Sequence, residues 1–107
     1  AVDEAIAAVA AERPTVVLLQ IPGALVMPWR DQAAAIACTF LGGEQTGHAW
    51  ASILFGDAAP SGKLPIMLPK TEQDTIAPVE GWQVPYSEGV FTSYRAADAA
   101  ERAAFPF

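Results

Sequence analysis

Residues 15–21 form an uninterrupted run, TVVLLQI, that is mostly apolar and rich in β-branched side chains. A second short run, AIACTF, follows at residues 35–40. Continuous runs of this length, unlike alternating ones, are typical of strands covered on both faces, as in parallel sheets. About a dozen residues separate the two runs, which is near the minimum for a parallel crossover. The pattern therefore predicts two neighbouring, buried strands of a parallel sheet.

Helical patterns flank the two runs. Residues 2–12 are alanine-rich with apolar residues on one face, and Pro14 ends this pattern. Residues 44–55 form a second helical pattern, and Gly56 is a natural stop after it. The order helix, strand, crossover, strand, helix predicts the α/β class. We expect a partial α/β sandwich with a mainly parallel sheet flanked by helices.

The chain changes character after Asp57. Prolines recur at Pro60, Pro65, Pro69, Pro78 and Pro85. Proline interrupts both helices and central strands, so we expect residues 57–90 to be a mainly irregular, Pro-rich segment. Short extended pieces are predicted at residues 64–68 and 91–94, and a final helical turn within residues 96–104.

Composition and charge exclude several classes of protein. Of the 107 residues, 52% are hydrophobic and 17% charged, which is too apolar for intrinsic disorder. The net charge of −6 argues against nucleic acid as a partner, because nucleic acid selects basic patches. The most apolar stretch, residues 15–29, is interrupted by glutamine and proline and is shorter than the ~20 residues of a membrane span. We therefore predict neither a nucleic-acid partner nor a membrane span.

The single histidine and the single cysteine do not complete a chemical site. His48 has no second histidine or nearby cysteine with which to form a metal set or a Cys–His pair, so we interpret it as an exposed or hydrogen-bonded polar residue. Cys38 lies mid-strand among apolar neighbours, where a buried, inert thiol is expected. We predict no metal and no cofactor.

The segment GDAAPSGKL at residues 56–64 is superficially similar to a phosphate-binding loop. Five residues separate its two glycines and Leu64 follows the lysine, whereas the nucleotide-binding pattern needs four residues and then serine or threonine. The segment also follows a predicted helix instead of a strand. We interpret it as a Pro-Ser-Gly turn.

Acidic residues could in principle serve acid–base chemistry on a glycoside, as Glu72 with Asp74 or Glu80 with Glu88. Carboxylates in proline-rich loops are usually solvated, so we assign none of them a catalytic role. Glu88 differs because it lies among aromatic residues with Arg95 nearby. A partly buried ion pair between these two residues is predicted.

Three tryptophans are candidates for stacking on sugar rings: Trp29, Trp50 and Trp82. Trp50 is explained by packing of its helix. Trp29 and Trp82 lie in loops, where function concentrates, and Trp29 follows the first strand near the edge at which open α/β sheets bind ligands. We favour packing roles for both.

Four segments in order carry a family resemblance. They are GALVMPW (residues 23–29), GEQTGHA (43–49), PSGKLP (60–65) and YSEGVFTSYR (86–95). Together with the ending Phe105-Pro106-Phe107 they resemble the second, α/β-sandwich domain of glycoside hydrolase family 3, in its β-glucosidase type. The resemblance extends from about Thr15 to Phe107. One departure is that family members often have glycine before the Tyr-Arg pair, where this chain has Ser93.

The resemblance implies a role without chemistry of its own. Family members take their nucleophile, an Asp, from an N-terminal barrel domain, and their general acid/base, usually a Glu, from a position upstream of the matched segment. Neither maps onto this chain, so we carry over no catalytic residue and leave the substrate-binding residues unknown. Residues 1–107 would be a single incomplete domain that supports the active-site cleft and is inactive alone. Its partner would be the remainder of the parent enzyme, whose carbohydrate substrate carries terminal β-linked glucose and is cleaved by a retaining, two-carboxylate mechanism.

A second hypothesis belongs to a different class of protein. The chain starts at Ala1 and stops inside the aromatic run Phe105-Pro106-Phe107, so both ends suggest a piece of something larger. Such a piece would equally serve as a non-catalytic remnant, a structural or interaction subunit of a larger assembly. The length of the natural polypeptide separates the two hypotheses.

Overall fold

A computed structural model of the chain describes residues 1–75 and 81–106. The helices and strands in chain order are α1 (Val2–Glu12), β1 (Val16–Gln20), β2 (Ala35–Thr39), α2 (Thr46–Leu54) and α3 (Ala99–Arg102). Two short 3₁₀ turns occupy Glu72–Asp74 and Ser93–Arg95. The chain divides into two compact units. Unit 1 contains residues 1–23 and 29–63, and unit 2 contains residues 24–28 and 64–107.

Strands β1 and β2 of unit 1 are parallel, as the two apolar runs predict. Their register pairs Val16 with Ala35 and continues to Gln20 with Thr39. The amide of Ala34 donates to the carbonyl of Thr15 at 2.9 Å, which extends the ladder beyond the strands. The predicted α/β class is confirmed: a small parallel sheet accompanied by helices.

Only one face of β1 is covered by the described residues. Leu19 is buried and Val17 is half-buried, whereas Val16 is 50% exposed and Leu18 is also exposed. The continuous apolar run predicts cover on both faces, and this part of the prediction is not met within the described chain. A parallel strand is normally buried on both sides, so β1 leaves an apolar face without a covering layer.

Helix α1 begins and ends where the sequence predicts. Asp3 and Glu4 lie in its first turn, where carboxylates complement the positive end of the helix dipole. Arg13 is extended, as expected of a residue before a proline, and it ends the helix after Glu12. None of the described helices is both long and apolar enough to cross a bilayer.

Unit 2 is held together by a short antiparallel contact between two chain segments. Pro69 forms a bridge with Ala103, and the amide of Ala104 donates to the carbonyl of Leu68 at 2.7 Å. Leu68, Ala99 and Ala103 are buried there. The predicted final helical turn is confirmed as α3. In the predicted extended piece at residues 64–68, Leu68 makes this contact and the amide of Met67 donates to Ser93 Oγ at 2.8 Å.

The predicted short strand at residues 91–94 is wrong. Residues Ser93–Arg95 form a 3₁₀ turn, and Ser93 has a φ of 55°, which is incompatible with a strand. Phe91 is 69% exposed, so it does not mark the buried face of a strand.

Candidate functional site

A glycine turn connects β2 to α2. The hydroxyl and the amide of Thr46 both donate to the carbonyl of Gly43, at 2.6 and 3.1 Å. A Cβ atom at Gly42 would lie 2.2 Å from Thr46 Oγ1, so this close approach requires glycine. The turn places the start of α2 at Thr46, two residues later than the predicted start at Glu44.

A cavity of about 500 Å³ lies beside this turn in unit 1. Its walls include residues of β2 and of the apolar side of α2: Cys38, Thr39, Ala49, Trp50 and Ile53. The side of α2 that sequence patterning assigns to packing therefore faces open space. The other walls are polar, because Glu44, Gln45 and Thr46 of the turn also line the cavity.

Cys38 and His48 carry no catalytic arrangement. Cys38 is half-buried, and burial raises the pKa of its thiol above the ordinary value, which keeps it protonated and weakly nucleophilic. His48 is exposed on α2, as expected. Across the described ranges, no three histidine, cysteine or carboxylate side chains gather in a way that could hold a metal ion.

Residues 56–64 follow a helix, as predicted. Gly56 has a φ of 84° and directly follows Phe55, the residue that caps the C-terminus of α2. Glycine is favoured at this position because it adopts a positive φ without strain. A phosphate-binding loop instead follows a strand and opens a helix. The segment is a helix stop followed by irregular chain.

The three tryptophans have different environments. Trp29 is 2% exposed, and its indole nitrogen donates to Asp3 Oδ1 at 2.7 Å, so the predicted packing role is confirmed. Trp50 is half-buried in the wall of the unit 1 cavity. Trp82 is fully exposed, so the predicted packing role is wrong for this residue.

The acidic candidates differ in their exposure and hydrogen bonding. Glu72 is exposed, whereas Asp74 is half-buried and its Oδ2 accepts from the amide and hydroxyl of Thr71 at 3.0 and 2.8 Å. Glu88 is half-buried. Glu80 lies outside the described residues.

Arg102 ties Asp74 to α3. It donates to the carbonyl of Asp74 at 2.8 Å and approaches the Asp74 carboxylate at 4.0 Å. It also meets Asp98 at 3.4 Å, one helical turn earlier. The i, i+4 spacing of Asp98 and Arg102 is a sequence signal that could have identified the ion pair between these two residues.

The predicted ion pair between Glu88 and Arg95 is wrong. Ion pairs within the described ranges do not include these two side chains, and Arg95 is exposed. The 3₁₀ turn at Ser93–Arg95 replaces the strand that would have aligned them. The guanidinium that orders this part of unit 2 is that of Arg102.

A cleft of about 600 Å³ lies within unit 2, and we call it the unit 2 cleft. Its walls include Asp74, Ser87, Glu88, Phe91, Thr92 and Arg102. Burial raises the pKa of Tyr94, a neighbour of these residues in the chain, above its ordinary value, so this phenol stays neutral near pH 7. The cleft combines hydrogen-bond acceptors, hydroxyl groups and an aromatic ring.

The parallel sheet, its glycine turn and the accompanying helices define part of an α/β domain. Comparison with known proteins gives its family. Residues 1–94 match the glycosyl hydrolase family 3 C-terminal domain, and the chain belongs to this family.

The curated relatives are much longer than this chain. A beta-glucosidase of Rhizobium radiobacter is 38% identical over 98% of this chain but only 14% of its own length. Beta-glucosidase B of Emericella nidulans is 34% identical over 98% of the chain and 15% of its own length. Probable beta-glucosidase H of Aspergillus flavus is 37% identical over 91% of the chain and 12% of its own length. No solved structure matches the chain.

Proposed function

We propose that this chain is the C-terminal part of the α/β-sandwich domain of a glycoside hydrolase that removes terminal β-linked glucose. In this proposal the chain supports the active-site cleft and does not supply the catalytic pair. One observation carries the proposal: the similarity to beta-glucosidases covers 98% of this chain but no more than 15% of those relatives. A segment of this kind contributes part of a domain to the reaction.

The uncovered surfaces of unit 1 support an incomplete domain. The two-stranded parallel sheet leaves Val16 and Leu18 exposed, and the apolar side of α2 faces a cavity of about 500 Å³. A two-stranded arrangement is marginal in water, and parallel sheets are normally covered on both faces. The remainder of the parent enzyme is the partner that we propose for these surfaces.

The arrangement of the described carboxylates supports a role outside the chemistry. A retaining glycosidase holds two carboxyl groups about 5–5.5 Å apart, one ionised and one protonated. Asp74 is engaged by Thr71 and Arg102, and Glu72 is exposed on its turn. These two groups are a structural contact and a solvated side chain, so a catalytic pair is expected elsewhere in the parent.

The test compares two polypeptides on a chromogenic β-glucoside: the natural-length protein and the 107-residue chain. We expect the first to release the chromophore and the second to match the buffer. Turnover by the 107-residue chain that disappears in Glu72→Gln, Asp74→Asn or Glu88→Gln would overturn the proposal. An inactive natural-length protein would favour the alternative, a structural or interaction subunit.

A further inference from the structure

The carboxylate of Glu88 lacks a partner within the described chain. Its side chain is half-buried in the wall of the unit 2 cleft, and no hydrogen bond or ion pair reaches it from another described residue. A charge that is partly removed from water costs free energy unless it is paired or hydrogen-bonded. Glu88 therefore presents an anionic acceptor that a cationic group would stabilise.

The cations of this chain do not supply that partner. All six lysines and arginines lie in the described ranges, and none of them is within ion-pair distance of Glu88. Arg102, which also lines the cleft, is shared between Asp74 at 4.0 Å and Asp98 at 3.4 Å. The cleft wall holds two carboxylates, of Asp74 and Glu88, against the one guanidinium of Arg102, so one negative charge has no counterion.

Two consecutive tight turns place Glu88 and an aromatic ring in the same wall. The amide of Gly89 donates to the carbonyl of Tyr86, and the amide of Phe91 donates to the carbonyl of Glu88, both at 3.1 Å. Gly89 has a φ of 56°, which glycine adopts without strain. Phe91 lines the cleft and is 69% exposed. An aromatic ring face attracts a cation, and the alkyl stem of lysine or arginine packs on such apolar surface.

The surroundings of the cleft indicate that the cation belongs to a polypeptide. Five large apolar side chains within residues 82–91 are exposed: Trp82, Val84, Tyr86, Val90 and Phe91. Exposed apolar side chains that occur together mark interaction surfaces. A free amine or a metal ion would leave most of them in water, whereas a polypeptide segment covers them. The chain spans 12–15% of its curated relatives, so most of a parent of that length lies outside it.

We propose that the unit 2 cleft binds a lysine or arginine side chain from a part of the parent enzyme outside residues 1–107. The charged head of that side chain pairs with Glu88, and its alkyl stem packs on Phe91. This inference rests on the proposed function in one respect, since the chain must be part of a longer enzyme. It names the contact by which unit 2 joins the rest of that enzyme.

The experiment measures the chemical reactivity of basic side chains in the natural-length protein. Phenylglyoxal labels arginine and acetic anhydride labels lysine, and peptide mass spectrometry gives the rate at each position. In Glu88→Gln, one lysine or arginine outside residues 1–107 should react about tenfold faster, an effect between those of exposed and buried ion pairs. Phe91→Leu keeps the carboxylate and should raise the rate at the same position about threefold.

Glu72→Gln is the matched control, because Glu72 is exposed and does not line the cleft. It should leave every labelling rate unchanged. The circular dichroism spectrum of each variant is compared with that of the unsubstituted protein. Because Phe91 is mostly exposed, its variant keeps the test available if Glu88→Gln does not fold.

Three outcomes would overturn the inference. The first is that no basic side chain outside residues 1–107 becomes more reactive in either cleft variant. The second is that the change appears at Arg95 or Arg102, which would mean pairing within the chain. The third is an equal change in Glu72→Gln. Hydrolysis of a chromogenic β-glucoside tests the proposed function separately: the expected labelling in an inactive protein contradicts only that function, and unchanged labelling in an active protein contradicts only this inference.

Discussion

Ser93 holds a backbone conformation that glycine adopts more easily. Its φ of 55° lies in the left-handed region, which costs a residue with a Cβ about 1–2 kcal/mol. Family members often have glycine here, and the structure gives the physical reason. Serine compensates because its Oγ accepts the Met67 amide at 2.8 Å. The cost of the positive φ and the gain from this hydrogen bond are of similar size and opposite sign.

This balance predicts different outcomes for two substitutions at Ser93. Ser93→Ala keeps the backbone strain and removes the acceptor, so it should lower the free energy of unfolding by about 1–2 kcal/mol. Ser93→Gly removes both the strain and the acceptor and should stay within about 0.5 kcal/mol of the unsubstituted protein. Urea unfolding of the natural-length protein measures both. Equal destabilisation by the two variants would show that the positive φ carries no strain.

Residue environments were predictable from the sequence where local chemistry decides them. Trp29 follows a strand and is buried, and His48 lies on an amphipathic helix and is exposed. Glu88 could not be placed, because its expected partner Arg95 depends on how the chain folds between them. A 3₁₀ turn with a positive φ at Ser93 lies between Glu88 and the Arg95 side chain, and the residue types do not predict that turn.

The β2–α2 connection shows how a single glycine fixes an element boundary. Gly42 allows Thr46 to fold back on the carbonyl of Gly43, and this hydrogen bond precedes the first turn of α2. Gly43 has nothing within 4 Å of its own Cβ position. The two adjacent glycines therefore differ in what they tolerate.

Alanine substitutions distinguish these two glycines. Gly42→Ala should destabilise the protein by about 1 kcal/mol or more, because the new Cβ displaces the Thr46 hydroxyl from its acceptor. Gly43→Ala is the control and should cost less, since its Cβ enters open space. Thermal unfolding of the two variants decides the matter. A Gly43→Ala variant that unfolds at a lower temperature than Gly42→Ala would contradict the assignment.

Arg102 is the side chain that joins α3 to the Asp74 turn. Arg102→Ala should lower the free energy of unfolding by about 1–2 kcal/mol, since it removes a hydrogen bond to a backbone carbonyl and two partly exposed ion pairs. Arg95→Ala is the matched control and should change it by less than about 0.5 kcal/mol, because Arg95 is exposed and outside every ion pair of the described residues. Urea midpoints measure both. The reverse order of effects would restore the Glu88–Arg95 pairing.

Elements were predicted better than their contacts. Strands β1 and β2 follow from continuous apolar runs, and α1 and α2 follow from helical patterns that end at Pro14 and Gly56; all of these are local signals. The antiparallel contact of Pro69 with Ala103 joins residues far apart in the chain, so no local pattern indicates it. The uncovered face of β1 has the same origin: the apolar run predicts burial, but no local pattern indicates which segment would cover that face.

At the scale of the whole molecule, few residues are buried. The buried residues in the described ranges are Leu19, Met27, Trp29, Leu68, Ala99 and Ala103. A two-stranded sheet with exposed apolar side chains needs further layers to be stable. We therefore predict that the 107-residue chain, expressed alone, unfolds without a cooperative transition, aggregates or binds a partner. Calorimetry and sedimentation test this, and a monomer with several kcal/mol of cooperative stability would contradict it.

We propose that this chain contributes structure to a glycoside hydrolase and supplies none of its catalytic carboxylates. The most direct test is kcat on a chromogenic β-glucoside for the natural-length protein with Glu72→Gln, Asp74→Asn or Glu88→Gln, each checked for unchanged folding. We predict that no single variant lowers kcat by more than about tenfold. Loss of an essential catalytic group typically costs about 10⁴-fold or more. A fall of that size in any one folded variant would place a catalytic carboxylate in this chain and contradict the proposed supporting role.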